Sequence, residues 1–210
     1  MPIETSTWNI VIIGGWNRAI LTPQGVAQRL FKVEAGTPVD VEVALDSINT
    51  LRVNHDSIKV IAKSGSLELI ADDATFDCMD RAKKIASNAL ESLPATPVAG
   101  AGINFRFVDT EPPGDLLTKV ECPLDTAVAD QQFEISNRRY ARSLVFNGGI
   151  LNIDLSVLST GECEILLNFH KESHSTSVLK EWVDQSIEPL KQAVDKIIKS
   201  AFAIESYNGQ

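Results

Sequence analysis

His170-Lys-Glu-Ser-His174 sets two imidazoles and a carboxylate within five residues, the side chains that a metal ion or an acid–base step would use. Two histidines four apart converge only on a helix. Glu172 also stands outside the H-E-x-x-H order in which such a helix would hold zinc. His170, Glu172 and His174 are therefore the candidate metal ligands of a metal-dependent enzyme. The competing reading is a solvated loop between a strand and the last helix.

A second cluster, Arg138-Arg139-Tyr140-Ala-Arg142, puts three guanidinium groups beside an aromatic ring, with Arg106 on a candidate neighbouring strand. Arginine next to an aromatic can hold RNA or a phosphorylated ligand. The alternative is an arginine-lined strand paired with acidic neighbours. Asp72, Asp73, Asp77 and Asp80 crowd the start of a predicted helix, where the macrodipole and the capping preference of Asp account for them without a cation. Ser177-Val-Leu-Lys180 matches S-x-x-K, but S-D-N and K-T-G do not occur in the chain, and Ser177 reads as a helix cap. Gly14-Gly15 follows a strand without the spacing of a phosphate-binding loop. Cys78, Cys122 and Cys163 are far apart and read as buried thiols. No cofactor is indicated.

Composition narrows the setting for these groups. With 210 residues, 44% hydrophobic and 22% charged, the chain is an ordinary globular one rather than a disordered or collagen-like one. Twenty-eight acidic against 19 basic residues give a net charge of −9, which weighs against nucleic acid and anionic membranes as partners. The first residues, MPIETSTWNI, lack the basic and apolar regions of a signal peptide, and no apolar run approaches the roughly 20 residues of a membrane span. A cytoplasmic location is the expectation.

The elements that must position these residues follow from periodicity. The stretch from Trp8 to Ile13, rich in β-branched residues and continuously apolar from Ile10 on, predicts a strand buried on both faces, with Thr22 capping a short helix that opens at Pro23. Alternation from Val39 to Leu45 predicts a half-buried strand. Three more strands are predicted over 50–54, 58–63 and 67–71, with Asn54-His-Asp56 and Ser64-Gly-Ser66 as turns. A helical stripe from Phe76 to Leu93 ends at Pro94, with Asp72 or Asp73 as its cap. After the break, strands are predicted at Ile103–Val108, Phe133–Ile135, Tyr140–Phe146, Leu151–Leu158 and Cys163–Phe169, and a short helix at Leu116–Val120. Val183, Ile187, Leu190, Val194, Ile197, Ala201 and Ile204, spaced alternately four and three apart, form a heptad seam, with a break near Glu188 forced by Pro189.

The fold class is α+β, antiparallel sheets with two long amphipathic helices. The order strand, short helix, strands, long helix occurs twice. Ile10 and Ile103, and Ile58 and Leu151, are separated by about 93 residues, which suggests a duplicated unit. The halves are residues 1–95 and 96–210, joined in one globular fold. This layout, with the strand Gly102-Ile-Asn-Phe-Arg106 after the proline break and the ending Ala201-Phe-Ala-Ile204, resembles a family of uncharacterised, sporadically distributed prokaryotic proteins. In that family the strand is richer in arginine, whereas here Arg106 stands alone. The resemblance implies a fold and a prokaryotic or phage origin, and no catalytic residues. The reading that results is a non-enzymatic binding protein that forms a homodimer, or engages a protein partner, through Trp182 and the heptad seam. The metal-dependent enzyme and the arginine-based binder are the alternatives.

Overall fold

The computed structural model describes residues 3–43, 51–110 and 114–207. Its organising strand is β2 (Trp8–Gly14), whose side chains alternate between two environments. Trp8, Ile10 and Ile12 are fully buried, while Asn9, Val11 and Ile13 point the other way, as the pleat requires. β2 pairs antiparallel with β6 (Ser66–Ala71) on one side and with β7 (Val98–Asp109) on the other, Ile10 standing opposite both Leu69 and Ile103. Beyond β6 follow β5 (Ile58–Ala62), β4 (Leu51–His55) and β3 (Asp40–Val43). Beyond β7 follow β10 (Cys163–Glu172), β9 (Gly149–Leu158) and β8 (Asn137–Phe146). β1 (Glu4–Thr5) pairs with the far end of β7 and completes a ten-stranded sheet in which all strand pairings are antiparallel.

Two hairpins set the register. Asp56 and Ser57 have φ of 50° and 60°, and Asn147 and Gly148 have φ of 44° and 69°, the pair of left-handed residues that matches a tight turn to the twist of its strands. The first turn lies one residue later than the expected Asn54-His-Asp56, because His55 pairs with Ile58 in the ladder.

The helices gather on one face. α1 (Pro23–Val26) opens with Thr22 Oγ1 accepting from the Gly25 amide at 3.1 Å and continues as a wider helical turn, Ala27–Phe31. α2 (Phe76–Ser92) packs on β2, β5 and β6. α3 (Gly114–Val120) and α4 (Pro123–Ala129) precede β8. α5 (Thr176–Val183) lies against α2, β7 and β10, and α6 (Glu188–Asp195) runs on into a wide turn, Lys196–Ala201. Between helices and sheet, the Trp8 ring sits 5.1 Å from Phe76, 4.8 Å from Phe105 and 5.8 Å from Phe107. Trp8, Trp16 and Trp182 are all buried. Asn88 reaches out of α2 to donate to the Leu30 carbonyl at 2.8 Å, and buried Lys83 donates to the Gln185 carbonyl in the break between α5 and α6. Burial pushes the Lys83 ammonium below the ordinary lysine value.

Several expectations are corrected. α2 is capped by Thr75, whose hydroxyl accepts from the Cys78 amide at 3.2 Å, and not by Asp72 or Asp73. α5 is capped by Ser175, and Ser177 lies inside the helix with its hydroxyl 2.8 Å from that of Ser175. Phe133–Ile135 is not a strand, and the chain ahead of it forms α4, which buries no side chain and so carries no periodic signal. Val41 and Val43 are 43% and 54% exposed because β3 is an edge strand, and Leu45 lies outside the described residues. So does Thr50. The C-terminal segment is two eight-residue helices with Pro189 in the first turn of the second, and β2 has a helical layer on one face only.

Cys78 and Cys163 are buried, but Cys122 is exposed at the start of α4 and is no core thiol. Burial raises the Cys78 pKa and lifts that of Cys163 to about 11. A thiol reagent at neutral pH is expected to modify one cysteine quickly, Cys122, and all three only after denaturation. Because the fold favours protonated Cys163, that stabilisation is complete below the ordinary thiol value of 9.0 and is lost as pH rises toward 11. Mass spectrometry of the labelled protein checks the first statement, and urea melts at graded alkaline pH check the second.

Candidate functional site

Among the described residues no helix packs on the other face of the sheet. The strand registers bring four asparagines into line across it: Asn9 of β2 opposite Asn104 of β7, Asn104 opposite Asn168 of β10, and Asn168 opposite Asn152 of β9, with Ser143 of β8 at the end. The row is hydrogen-bonded in one direction. Ser143 Oγ donates to Asn152 Oδ1 at 2.7 Å, Asn152 Nδ2 to Asn168 Oδ1 at 3.2 Å, Asn168 Nδ2 to Asn104 Oδ1 at 2.7 Å, and Asn104 Nδ2 to Asn9 Oδ1 at 2.7 Å. Asparagine is disfavoured in strands, so four of them in the middle of one sheet need a reason beyond strand formation. A carboxamide carries two N–H groups and an oxygen with two lone pairs. Asn104 therefore keeps one donor and one acceptor position beyond the row.

Next to the row the same registers build a trough. Val11, Gly102 and His170 stand side by side on β2, β7 and β10, and so do Ile13 and Gly100 with Glu172 opposite. Two glycines leave the middle strand bare between an aliphatic wall and a polar one, about 10 Å apart from strand to strand. Asn104 and Asn168 close one end, and His174 lies toward the other. The space is about 740 Å³, within the range of small-molecule pockets. Ile13 remains 48% exposed. The continuous apolar run of β2 had implied cover on both faces, and on this one the structure supplies none.

The polar wall has defined hydrogen-bonding character. A carbonyl only accepts, so His174 Nδ1, 3.0 Å from the Val98 carbonyl, is the donor. In the neutral ring this leaves Nε2 as an acceptor. His170 Nδ1 lies 3.2 Å from both Asn152 Nδ2 and Asn168 Oδ1, so either tautomer of His170 is satisfied by the row. Glu172 has no hydrogen-bond or ion-pair partner among the described residues.

The structure brings the three predicted metal ligands to one trough but not to one point. His170 and Glu172 are alternate residues of β10 and His174 follows in the same rhythm. Among the described residues no three His, Cys, Asp or Glu side chains gather within reach of a metal, the aspartates before and within α2 included. His170 and Glu172 thus belong to β10, while His174 lies exposed in the loop between that strand and α5, where the loop reading had it.

The arginines are engaged one by one. Arg138 Nε donates to Asp125 at 2.6 Å, Arg139 forms a two-point pair with Asp154, and Arg106 Nε lies 3.4 Å from Glu164. Arg142 donates to its neighbour's carbonyl, Ala141, and stands 4.5 Å over the Tyr140 ring. Arg138 and Arg142 are on the helical face of β8 and Arg139 on the open face, so the cluster divides between two sides of a strand. Arg138 holds the Asp125 carboxyl below the ordinary aspartate value. A larger depression of about 930 Å³ is lined by Arg139, Asp154 and Glu164, whose charges are matched within the sheet. The seam residues Trp182, Val183, Leu190, Val194, Ile197 and Ile204 are buried in the chain's own core, Ile187 is half-buried, and Ala201 is exposed. The asparagine row escaped the sequence reading, since its members are far apart in the chain and only register aligns them.

Fold and site together define a class: an α+β protein with helices on one face of an antiparallel sheet and a ligand-sized trough on the other. Set against known proteins, the chain matches no protein-family model and no curated protein.

Asn168→Ala removes the partner of Asn152 Nδ2 and of Asn104 Oδ1. Both atoms are near solvent, so the expected loss in urea denaturation is about 1 kcal/mol. Gly102→Val is expected to perturb the same row, because its Cβ would stand 3.1 Å from Asn168 Nδ2, and to fill the trough.

Proposed function

We propose that the protein acts by binding a small molecule in the trough on the open face of its sheet, and not by turnover. The observation that carries the reading is the alignment of Val11, Gly102 and His170, and of Ile13, Gly100 and Glu172, beside a hydrogen-bonded row of asparagines. A bare strand floor, an aliphatic wall and an imidazole–carboxylate wall make a concave site with few convergent polar groups, the usual form of a ligand pocket. The arginine cluster supports the rival phosphate reading poorly, since Arg138, Arg139 and Arg106 are matched by Asp125, Asp154 and Glu164 and the unmatched Arg142 lies on the face opposite Arg139 and Arg106. Protein NMR with a library of metabolite-sized fragments tests the proposal. The expected shifts fall on the amides of 98–104 and 168–174 and vanish in Gly102→Val. Shifts confined to β8 or α6 overturn it.

The same reading takes the chain as a duplicated unit. Counting outward from the β2–β7 junction, the last strand of each half comes first and earlier strands follow: β6, β5, β4 on one side and β10, β9, β8 on the other. The first half adds β3 at its edge. The trough then lies where the halves meet.

Self-association through the C-terminal seam requires residues that cover the chain's own sheet. Val194→Asp would place an unpaired charge at a fully buried position. The expected result is a loss of about 4 kcal/mol or more in folding stability, with no change in mass of the remaining folded fraction by light scattering. A folded monomer released from a wild-type dimer would instead restore the seam as an interface.

A further inference from the structure

Resting on the trough as a binding site, we infer that its ligand is an organic cation, a primary ammonium or guanidinium group carried on a compact apolar body. The argument is one of complementary charge. On the open face Arg139 pairs with Asp154, Arg106 with Glu164, Lys63 with Glu68, and both Arg52 and Lys59 with Glu42. Glu172 is the exception among the acidic side chains of these central strands, and it stands over the glycine floor at the trough. Next to it, the Nδ1–H bond from His174 to the Val98 carbonyl leaves Nε2 as a lone pair, a second acceptor on the same wall. Lys171, just before Glu172 in sequence, points to the helical face and donates to the Gly148 carbonyl, so its charge does not neutralise this wall.

The ligand edge that meets two acceptors, one of them anionic, must carry N–H donors and positive charge. The opposite wall, Val11 and half-exposed Ile13, asks for apolar surface, and bare Gly100 and Gly102 admit a flat or slender body between. Asn104 and Asn168 at the end supply a donor and an acceptor to orient it. A net charge of −9 draws cations toward the surface and repels anions of the same shape.

The test uses the full chain, isotope-labelled, titrated with phenethylamine and with agmatine, and with phenethyl alcohol and phenylacetate as uncharged and anionic counterparts. The amines are expected to shift the amides of Gly100, Gly102, Asn104 and His170 in saturable fashion, at least tenfold more tightly than the alcohol, with phenylacetate inert. Glu172→Gln, an exposed change that leaves the fold intact, is expected to weaken the amines about tenfold and leave the alcohol unchanged. If the alcohol binds the same residues as tightly as the amine, or Glu172→Gln is indifferent, the cation is overturned and the trough stands as a site for uncharged ligands. If no compound in this set or in the fragment library shifts these residues, both readings fall.

Discussion

The pairing of β2 with β7 governs this molecule. Ile10 stands opposite Ile103 on one face and Asn9 opposite Asn104 on the other, so a single register joins the two sides of the sheet, builds the aromatic core and aligns the polar row. A slip of one residue would turn every side chain to the opposite face. With β2 so displaced, Trp8 would leave Phe76 and Phe105 for solvent, and Asn9 would be forced under α2. Burial of the aromatic cluster therefore also fixes the geometry of the open face, although none of its rings touches that face.

The consequence is a division of labour by face. The helical side is apolar and closed, with Trp8, Phe105, Phe107 and Phe169 fully buried. The open side is a lattice of cross-strand polar pairs in which the charges largely cancel, leaving hydrogen-bonding groups and the wall of His170, Glu172 and His174. Such a surface fits the binding role proposed for the trough. Its donors and acceptors are held by the sheet at fixed spacing, so little ordering entropy is lost when a ligand meets them.

What the sequence revealed tracks how local the cause is. Thr22 and Pro23 at a helix start and Pro189 as a break are written in adjacent residues and were legible. The Thr75 cap was obscured by the aspartates before it, since several residue types compete for one position and only backbone geometry chooses. α4 was missed because a helix that buries nothing has no stripe. The heptad seam was legible as burial but not as to what buries it: periodicity identifies a covered face and is silent on whether the cover is another chain or the same one. His170 and Glu172 were found but placed in the wrong local structure, because β10 extends to Glu172, whereas His174 does lie in the loop that follows. The asparagine row was illegible, since Asn9, Asn104, Asn152 and Asn168 meet only through registers set by the core.

Magnitudes explain how the sheet tolerates such a centre. Glycine inside a strand costs roughly 0.5 to 1 kcal/mol relative to alanine, and β7 carries Gly100 and Gly102 at two successive open-face positions of its pairing with β2. Asparagine in strands is disfavoured within a scale that spans about 1 kcal/mol. Against this, a buried aromatic ring removes roughly 150 to 250 Å² from water, and at about 25 cal/mol per Å² each contributes on the order of 4 to 6 kcal/mol before entropy is counted. Trp8 and Phe105 adjoin Asn9 and Asn104 along their strands, Phe76 and Phe107 pack against Trp8, and Ile12, Ala101 and Ile103 are buried beneath the glycines; together they outweigh the unfavourable residues above them. The aromatic part of the core thus begins beneath the asparagine row. That arrangement lets a trough exist at the centre of a sheet without opening the sheet itself.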